Sequence, residues 1–339
     1  MKLKLSVLDQ SPIRSGGTAA DAVRETLLLA QAAERLGYHR YWVAEHHSAA
    51  SFASSSPEVL VAGVASATSG IRVGSGGVML MHYSPLKVAE NFRMLETLFP
   101  GRIDLGVGRA AGADPRTARA LQAAGGEPTL ERFPSQVADL LTYLHDAPPQ
   151  GHPHRRTHAA PECEGAPELW LLGSSGSSAQ LASQLGCAYS FAQFIQGADG
   201  AAAVRAYRQQ FQPSAHLAEP RASAAIFVIC AETEDEARRL ASSVELWRRR
   251  MERGVEAPFA SVEEARAHAY SEAELLRLTR DRERMVVGDV AQVRGRLLGV
   301  AEHYGVEELL LVTITHDFES RLRSYELIAR AFGMEGRDG

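Results

Sequence analysis

An apolar run over residues 38–44 ends in Glu45, His46 and His47, a carboxylate followed by two imidazoles. The ordinary pKa of imidazole lies near neutral pH, so these side chains are suited to acid–base catalysis or to hydrogen bonding at a reacting atom. Because side chains alternate along a strand, His46 and His47 point to opposite sides, and only one of them faces a given pocket. Two structural polar side chains would give the same pattern, and the residues alone leave both interpretations open. The pair also lacks the spacing of a helical HExxH zinc site.

Two further segments have the chemistry of anion binding. Arg109 follows the glycine-rich residues 106–108, and a guanidinium at that position pairs well with a phosphate. The stretch GSSGSS at 173–178 lies between an apolar run and a helical pattern, where N–H groups and hydroxyls can form a phosphate cradle. A surface salt bridge and a plain Ser/Gly linker are the respective alternatives. The short distance between strand and helix favours the cradle.

A pair of glycines, Gly76 and Gly77, interrupts the apolar stretch VGSGGVM. Two consecutive glycines weaken a strand, and they indicate either a bulge or a backbone that another group must approach closely. A planar ring lying against the peptide would explain why no side chain is present here. Both interpretations stay open at this point.

The elements that position these residues alternate between strand and helix along the whole chain. Apolar runs predict eight strands, at residues 3–9, 38–44, 71–78, 102–108, 168–173, 187–194, 222–231 and 307–314. Helical patterns separate them, including one at 234–247 that we assign to the seventh unit, and single crossovers of this kind require parallel strands. Eight such units favour a closed TIM (β/α)8 barrel with insertions, within one domain over residues 1–339. No GxGxxG opens the first helix, which disfavours an open dinucleotide-binding sheet.

Two insertions interrupt this alternation. Residues 146–168 precede the fifth strand, so they lie near the strand N-termini, away from the usual catalytic face. Residues 248–285 are long and charged and follow the seventh strand, which places them on the catalytic face as a candidate mobile lid. A solvated surface excursion is the alternative. The first insertion contains a cluster that could ligate a metal, but no predicted element supports it and we predict no metal site: His152, His154, His158 and Cys163.

Composition is that of a soluble globular protein, with 45% hydrophobic and 23% charged residues among 339. The net charge of −5, from 36 basic and 41 acidic residues, provides no basic surface for nucleic acid or an anionic membrane. No run of about 18 apolar residues is present, so no membrane span is predicted. The odd number and wide spacing of Cys163, Cys187 and Cys230 favour a reducing cytoplasm over a disulfide framework.

Taken together, these segments resemble the bacterial luciferase-like flavin monooxygenases, over nearly the whole chain. The resemblance rests on WVAEHH (42–47), on LLGSSGSSAQLASQLG (171–186) and on residues 73–110, of which PLKVAENFRMLETLFPGRIDLGVGR is the most characteristic part. It looks closest to the oxygenases of aromatic polyketide pathways in actinomycetes. The resemblance implies a luciferase-like TIM barrel whose cofactor is reduced FMN, delivered by a separate flavin reductase.

The resemblance also implies roles for individual residues. His46 matches the histidine that assists formation and use of a flavin C4a-hydroperoxide, and His47 is then expected to be structural. Gly76–Gly77 matches the position of a non-proline cis peptide under the isoalloxazine ring. Glu45 is left without a role. Arg109 matches the arginine on the FMN phosphate, and the other predicted cofactor-binding residues belong to the phosphate loop: Ser174, Ser175, Gly176 and Ser178.

Three departures separate the chain from light-emitting luciferases. Gly108 stands where those proteins carry a cysteine beside the flavin, and Ser174 stands where they carry a glutamate. Their histidine after the third strand is displaced here, where His82 and Ser84 flank Tyr83. These differences disfavour bioluminescence with a long aldehyde and leave the oxygenase interpretation intact.

The sequence therefore predicts a two-component FMN-dependent monooxygenase that hydroxylates or epoxidises an apolar or aromatic natural product such as a polyketide. The expected partners are a small-molecule substrate, a flavin reductase and a second copy of the chain in a homodimer, with no nucleic acid or membrane. An F420-dependent hydride-transfer oxidoreductase on the same barrel is one alternative. A non-catalytic flavin-binding accessory subunit is another.

Overall fold

Eight parallel strands close into a barrel in the computed structural model, which describes residues 3–109, 114–121, 130–148, 150–152, 155–195 and 200–336. Strands β1 to β7 pair with one another in chain order. Strand β9 then pairs with both β7 and β1 and closes the ring. A short strand, β8, extends β7 outside the ring. The predicted TIM barrel is confirmed. The strands are β1 Lys4–Asp9, β2 Arg40–Val43, β3 Arg72–Met79, β4 Ile103–Gly108, β5 Glu168–Gly173, β6 Ala188–Ala192, β7 Ala222–Ala231, β8 Val286–Asp289 and β9 Glu308–Val312.

The helices follow the predicted pattern, and further helices are present that the pattern did not predict. Pro57 and Pro85 open two of them at the first turn, where a missing N–H costs nothing. Three helices were not predicted, namely α4, which precedes α5, and α9 and α10 in the insertion after β7. Within the described ranges, no helix is both long and apolar enough to cross a bilayer. The helices are α1 Ala19–Arg35, α2 Pro57–Ala67, α3 Pro85–Leu98, α4 Pro115–Leu121, α5 Phe133–His145, α6 Gly176–Leu185, α7 Ala201–Gln210, α8 Glu234–Glu252, α9 Val262–Ala267, α10 Glu272–Arg284, α11 Val290–Tyr304 and α12 Phe318–Ala331.

Alternate side chains of the strands enter two separate packed layers. Leu8, Trp42 and Trp170 point into the barrel, where the two indole rings meet edge to face at 5.4 Å. Val7 and Tyr41 point outward and pack with the helices in a second cluster. Each large side chain of this kind stabilises the fold by roughly 1.5–3 kcal/mol when fully buried. The barrel interior is therefore a filled core whose upper surface forms the floor of any site above it.

The N-terminal ends of the strands, here called the base of the barrel, are closed by a layer of buried charges. Arg40 donates to Asp104 at 2.8 Å and to Glu308 at 2.6 Å, and Arg72 donates to Asp104 at 2.5 Å. Glu168 lies 3.5 Å from Arg40, and Asp104 is fully buried. Because each charge in this layer has an opposite partner, the base can exclude water without leaving a lone ion.

Helix α8 corrects one prediction. The pattern at 234–247 was assigned as the outer helix of the seventh unit, but Leu240 and Val244 pack with Ile229 in the same cluster as the barrel interior. The outer surface of β7 is covered instead by α11, which lies between α7 and α12 in the helical ring. An amphipathic pattern shows that a helix buries one face, and it does not show which surface receives that face. The insertion after β7 therefore begins at α8.

Residues 248–285, the predicted lid, contain the end of α8 together with α9 and α10. Phe259 is fully buried, and its backbone exchanges hydrogen bonds with Ile13 at 2.9 Å and Ser15 at 2.8 Å in the segment that follows β1. Arg282 of α10 pairs with Glu245 of α8 at 2.7 Å. These contacts place the insertion beside the C-terminal ends of the strands, and its movement stays a prediction.

Candidate functional site

The residues singled out from the sequence follow four neighbouring strands at the C-terminal end of the barrel, here called the mouth. Glu45 and His46 come directly after β2, Gly76 and Gly77 lie near the end of β3, and Arg109 follows β4. The phosphate-loop residues lie between β5 and α6. Since β2 to β5 are adjacent in the ring, the structure brings these four segments to one side of the mouth.

His46 lies on the inner side of β2, as the alternation predicts. Its ring stacks on Phe52 with centroids 4.2 Å apart, and its Nδ1 atom is buried with no hydrogen-bond partner among the described residues. Burial, together with the neighbouring His47, lowers the pKa of His46 to about 4. The imidazole is therefore neutral at neutral pH, and a ligand in the mouth can use its free nitrogen.

Glu45 and His47 form a second cluster, on the outer side of β2. The fully buried Glu45 carboxylate accepts from the backbone N–H of Met79 at 3.0 Å and from the Tyr83 hydroxyl at 2.8 Å, and it contacts His47 Nε2 at 2.6 Å. Burial and the carboxylate raise the pKa of Tyr83. These contacts join the ends of β2 and β3. The sequence left Glu45 without a role, although a carboxylate at a buried strand position requires partners of this kind.

The end of β3 presents backbone without side chains. The Gly76–Gly77 peptide is cis, which confirms the bond that the resemblance implied. A Cβ on Gly77 would lie 2.7 Å from the carbonyl oxygen of Gly106, and one on Gly76 would lie 2.6 Å from Leu8. At Gly108, by contrast, a Cβ would meet nothing closer than 4.0 Å. The packed backbone beside an open space fits a flat ring lying on the ends of β3 and β4.

The loop between β5 and α6 has the geometry of an anion site. Ser175 is the N-cap residue of α6, but its side chain makes no capping hydrogen bond, so the N–H groups of the first turn are left for another acceptor. Ser178 donates to the carbonyl of Ser175 at 2.9 Å and holds the loop in shape. Gly173 is required here, because a Cβ on it would lie 2.0 Å from the Ser178 hydroxyl. Arg109 is half-buried at the end of β4, the strand next to β5 in the ring, and it has no ion pair with a described residue.

Aromatic side chains from distant segments line the mouth from Phe52, beside His46, to Phe227 of β7, and they are here called the aromatic wall. Trp247 of α8 lies 5.4 Å from Phe52 and 5.2 Å from Phe259, measured between ring centroids. Phe194, after β6, meets Phe227 of β7 edge to face at 5.6 Å. The sequence did not predict this wall, because its five members come from five separate segments and none belongs to a local motif. Its composition suits an apolar or aromatic ligand.

The possible metal cluster is not assembled in the part of the chain that the structure describes. His152 contacts Asp139 at 2.9 Å, and the Cys163 thiol contacts the carbonyl of Gly165 at 3.0 Å. His154 lies outside the described residues. Within them, no group of three or more histidine, cysteine or carboxylate side chains is placed to hold a metal ion.

Comparison with known proteins decides the family. A model of the family described as luciferase-like monooxygenase matches residues 1–308. The chain belongs to this family. As a luciferase-like monooxygenase it is an enzyme of a flavin-dependent class, and the resemblance identified from its motifs is confirmed.

Three relatives illustrate the similarity of this luciferase-like monooxygenase. The protein YwcH of Bacillus subtilis is 48% identical, over 97% of this chain and 99% of its own. The N-acetyl-S-alkylcysteine monooxygenase of the same organism is 36% identical, over 97% of this chain and 98% of its own. The crystal structure of apo-MsnO8 is 39% identical and superposes with a TM-score of 0.88, over 99% of this chain and all of the other. The resemblance therefore extends over whole chains.

Proposed function

We propose that this luciferase-like monooxygenase is a two-component enzyme that uses reduced FMN and dioxygen to hydroxylate or epoxidise an apolar or aromatic small molecule, with aromatic polyketides as the expected class. One observation carries the proposal, namely that three complementary surfaces meet at one side of the mouth. They are the uncapped start of α6 with Arg109, the side-chain-free backbone at Gly76–Gly77, and the unpartnered nitrogen of His46. They match the phosphate, the ring and the oxygen chemistry of a reduced flavin.

The phosphate would be held by Arg109 and by the first-turn N–H groups of α6. A phosphate monoester carries close to two negative charges at neutral pH, which one guanidinium and a helix N-terminus together offset. The hydroxyls of Ser174 and Ser175 supply further donors beside Gly176, whose missing side chain leaves the approach open. Ser178 would act by maintaining the loop rather than by supplying its own proton, which it already donates to Ser175.

The isoalloxazine ring would lie against the Gly76–Gly77 backbone. Leu8, Leu172 and the carbonyl of Gly106 already occupy the space that side chains would need there, so this surface can only be smooth. When bound, reduced FMN activates dioxygen and supplies one oxygen atom to the substrate. The chain's part is to position the ring and to control water and protons around it.

His46 would hydrogen-bond through Nδ1 to the reacting oxygen. A pKa of about 4 keeps the ring neutral at neutral pH, so it is a poor store for an extra proton and a suitable hydrogen-bonding partner. Stacking on Phe52 fixes the plane of the imidazole and therefore the direction of that bond. This favours a hydrogen-bonding role over delivery of a proton by an imidazolium.

Water would be excluded by the aromatic wall and by residues 248–285. The wall removes hydrogen-bonding sites for solvent, and the insertion joins the mouth through Phe259. We propose that this segment is the lid of the site. An exposed site would release the activated oxygen as hydrogen peroxide before transfer to the substrate.

The test combines oxygen uptake with product analysis. Protein loaded anaerobically with reduced FMN is mixed with oxygen and a panel of aromatic polyketides, and products and hydrogen peroxide are measured by mass spectrometry and a peroxide assay. The wild type is expected to form oxygenated product, and His46→Asn is expected to bind reduced FMN but release peroxide. Undiminished oxygenation by His46→Asn would contradict the role given to His46. Tight binding of F420 without oxygen uptake would favour the hydride-transfer alternative instead.

Three further parts of the proposal follow from the family resemblance. We propose that a separate reductase supplies reduced FMN by diffusion, that the chain forms a homodimer, and that it acts in the cytoplasm. Sedimentation velocity on the purified protein tests the second, with a monomer at all concentrations as the contrary result. Activity restored by an unrelated flavin reductase tests the first.

A further inference from the structure

Arg248 of α8 stands over the mouth on the side of β7. Its guanidinium carbon lies 4.7 Å from the ring centroid of Phe227, within the range of a cation–π contact. Phe227 belongs to the inward-facing set of β7 and pairs in register with Val312 at the end of β9. Arg248 therefore covers the upper surface of the barrel core, beside Trp247.

Arg248 has no ionic partner among the described residues, although the next two arginines of α8 do. Arg249 pairs with Asp281 and with Glu252, and Arg250 pairs with Glu264 at 2.5 Å. Arg248 makes no hydrogen bond or ion pair with any residue that the structure describes. Arg249 and Arg250, its two neighbours along α8, are therefore engaged in structural pairs, whereas Arg248 is not paired with any described residue.

The acidic groups near Arg248 are already committed. Asp281 is bound by Arg249, and Glu245 is bound through both oxygens by Arg282 at 2.7 and 2.9 Å. Burial lowers the pKa of Arg248, with Asp281 and Glu245 acting to raise it and Arg249 and Arg284 acting to lower it. Within the described part of the chain this half-buried guanidinium has no counter-ion, and an anionic ligand would supply one.

The stacking on Phe227 leaves the right donors available. A guanidinium that places its face on a ring keeps its N–H groups directed outward from its edge, where they match the two oxygens of a carboxylate. Two more polar atoms are buried without a partner among the described residues, Nε1 of Trp247, which precedes Arg248, and Oε1 of Gln193, which precedes Phe194. Phe227, on which Arg248 lies, belongs to the aromatic wall, so the ligand that fits joins an apolar or aromatic body to one carboxylate.

The flavin phosphate is not the anion that fits here. In the ring of eight strands, β7 lies four positions from β3, so Arg248, which packs on Phe227 of β7, lies across the ring from Gly76–Gly77. The phosphate loop and Arg109 follow β5 and β4, and they already provide a phosphate site. An anion at Arg248 therefore belongs to the molecule that fills the other half of the mouth, which is the substrate.

We propose that Arg248 binds a carboxylate of the substrate, so that this enzyme oxygenates apolar or aromatic carboxylic acids. The inference rests on the proposed function for its statement that the mouth holds the substrate. It adds the substrate class and a residue that determines it.

The test measures binding without flavin, so that it does not depend on turnover. Benzoate, 3-phenylpropionate and 4-phenylbutyrate, each beside its neutral amide, are titrated into the flavin-free protein by calorimetry and by tryptophan fluorescence. We expect the wild type to prefer at least one acid over its amide by tenfold or more, the range of a charge-assisted pair. Arg248→Met is expected to abolish that preference, and Arg248→Lys to keep part of it. Arg35→Met, which removes an exposed arginine at the end of α1, is the charge-matched control and should leave the preference unchanged.

Two results would overturn the proposal. The first is that the wild type binds none of the acids, or binds acids and amides equally. The second is that the preference survives in Arg248→Met while the fold, judged by circular dichroism, is unchanged. Reduced-FMN binding is measured on the same variants, and a loss confined to the flavin would assign Arg248 to the phosphate. If the protein bound acids but no flavin, the proposed function would fail while the assignment of Arg248 stood.

Discussion

The two ends of the barrel treat polar groups in opposite ways. At the base, Arg40, Asp104 and Glu308 are buried and mutually paired. At the mouth, the nitrogen of His46 and the guanidiniums of Arg109 and Arg248 have no hydrogen-bonding or ionic partners among the described residues, although the same parallel strands support both ends. The folded chain itself supplies partners for the charged groups at the base.

This difference indicates where the molecule needs a ligand. Most buried polar groups in folded proteins have partners, so several unpaired ones at one location call for an explanation. The base stabilises the fold, and the mouth retains hydrogen-bonding capacity that we propose a bound flavin and substrate complete. Changes at the base should therefore alter the free energy of unfolding, and changes at the mouth should alter binding and oxygenation.

The largest expected effect is at the base. Asp104→Asn removes the fully buried carboxylate that Arg40, Arg72 and Trp42 share, and it should lower the free energy of unfolding by about 3–5 kcal/mol, because two guanidiniums each lose one of their paired charges. Urea denaturation measures the change. Glu264→Gln, which breaks the exposed pair with Arg250, is the control and should cost less than about 1 kcal/mol. Equal losses of unfolding free energy in the two variants would show that the buried charges at the base stabilise the fold no more than an exposed ion pair does.

The next largest effect is expected at the mouth, where a substitution should weaken flavin binding and leave the free energy of unfolding unchanged. Arg109→Met is expected to weaken reduced-FMN binding by about 1.5–3 kcal/mol, the worth of a charged hydrogen bond, with no comparable loss in unfolding free energy. Anaerobic fluorescence titration gives the affinity. Arg109→Lys keeps the charge and loses the paired donors, so its affinity for reduced FMN should lie between those of the wild type and Arg109→Met. A matching loss of folding stability would show that Arg109 is structural.

Two histidines allow a direct comparison of the mouth with a site outside it, because burial lowers the pKa of both His46 and His145 to about 4. His145 stacks on His216 outside the mouth. Each ring is neutral when folded and binds a proton more readily when unfolded, so each contributes stability above pH 6.5 that is lost as the pH falls towards 4. Replacement by Asn should remove about 1–2 kcal/mol of that acid sensitivity at either position, a value below the full shift because both rings are partly exposed.

Denaturation at pH 7 and pH 4.5 measures the acid sensitivity of these two variants. Oxygenation should separate them, since only His46→Asn is expected to lose it. Loss of oxygenation in both variants would mean that stability, and not the position in the mouth, explains the effect.

The smallest effect concerns the phosphate loop. Ser178→Ala deletes one hydrogen bond to the Ser175 carbonyl and should cost about 0.5–1.5 kcal/mol of stability, with a modest decrease in reduced-FMN affinity. Ser183→Ala, which deletes the equivalent hydrogen bond to the Gln180 carbonyl farther along α6, is the matched control. A larger loss of affinity than of stability would give the Ser178 hydroxyl a direct contact with the phosphate.

The sequence predicted the barrel and one half of the mouth. Apolar runs separated by helical patterns are a strong signal for parallel strands, and residues that follow such strands meet at one end, which located His46, Gly76–Gly77 and Arg109. The other half was missed for a physical reason. Trp247 and Arg248 lie on a helix whose periodicity looks like that of an outer crossover helix, and only tertiary packing shows that α8 covers the inner surface of β7. Likewise, nothing local joins Glu45 to Tyr83, 38 positions apart.

The most direct test of the account is the affinity of the protein for reduced FMN compared with reduced riboflavin, which lacks only the phosphate. Both are titrated anaerobically into wild-type protein and Arg109→Met. The account predicts that the wild type binds reduced FMN at least about tenfold more tightly than reduced riboflavin, and that Arg109→Met removes most of this difference. Equal affinity of the wild type for the two flavins, or no binding of either, would contradict it.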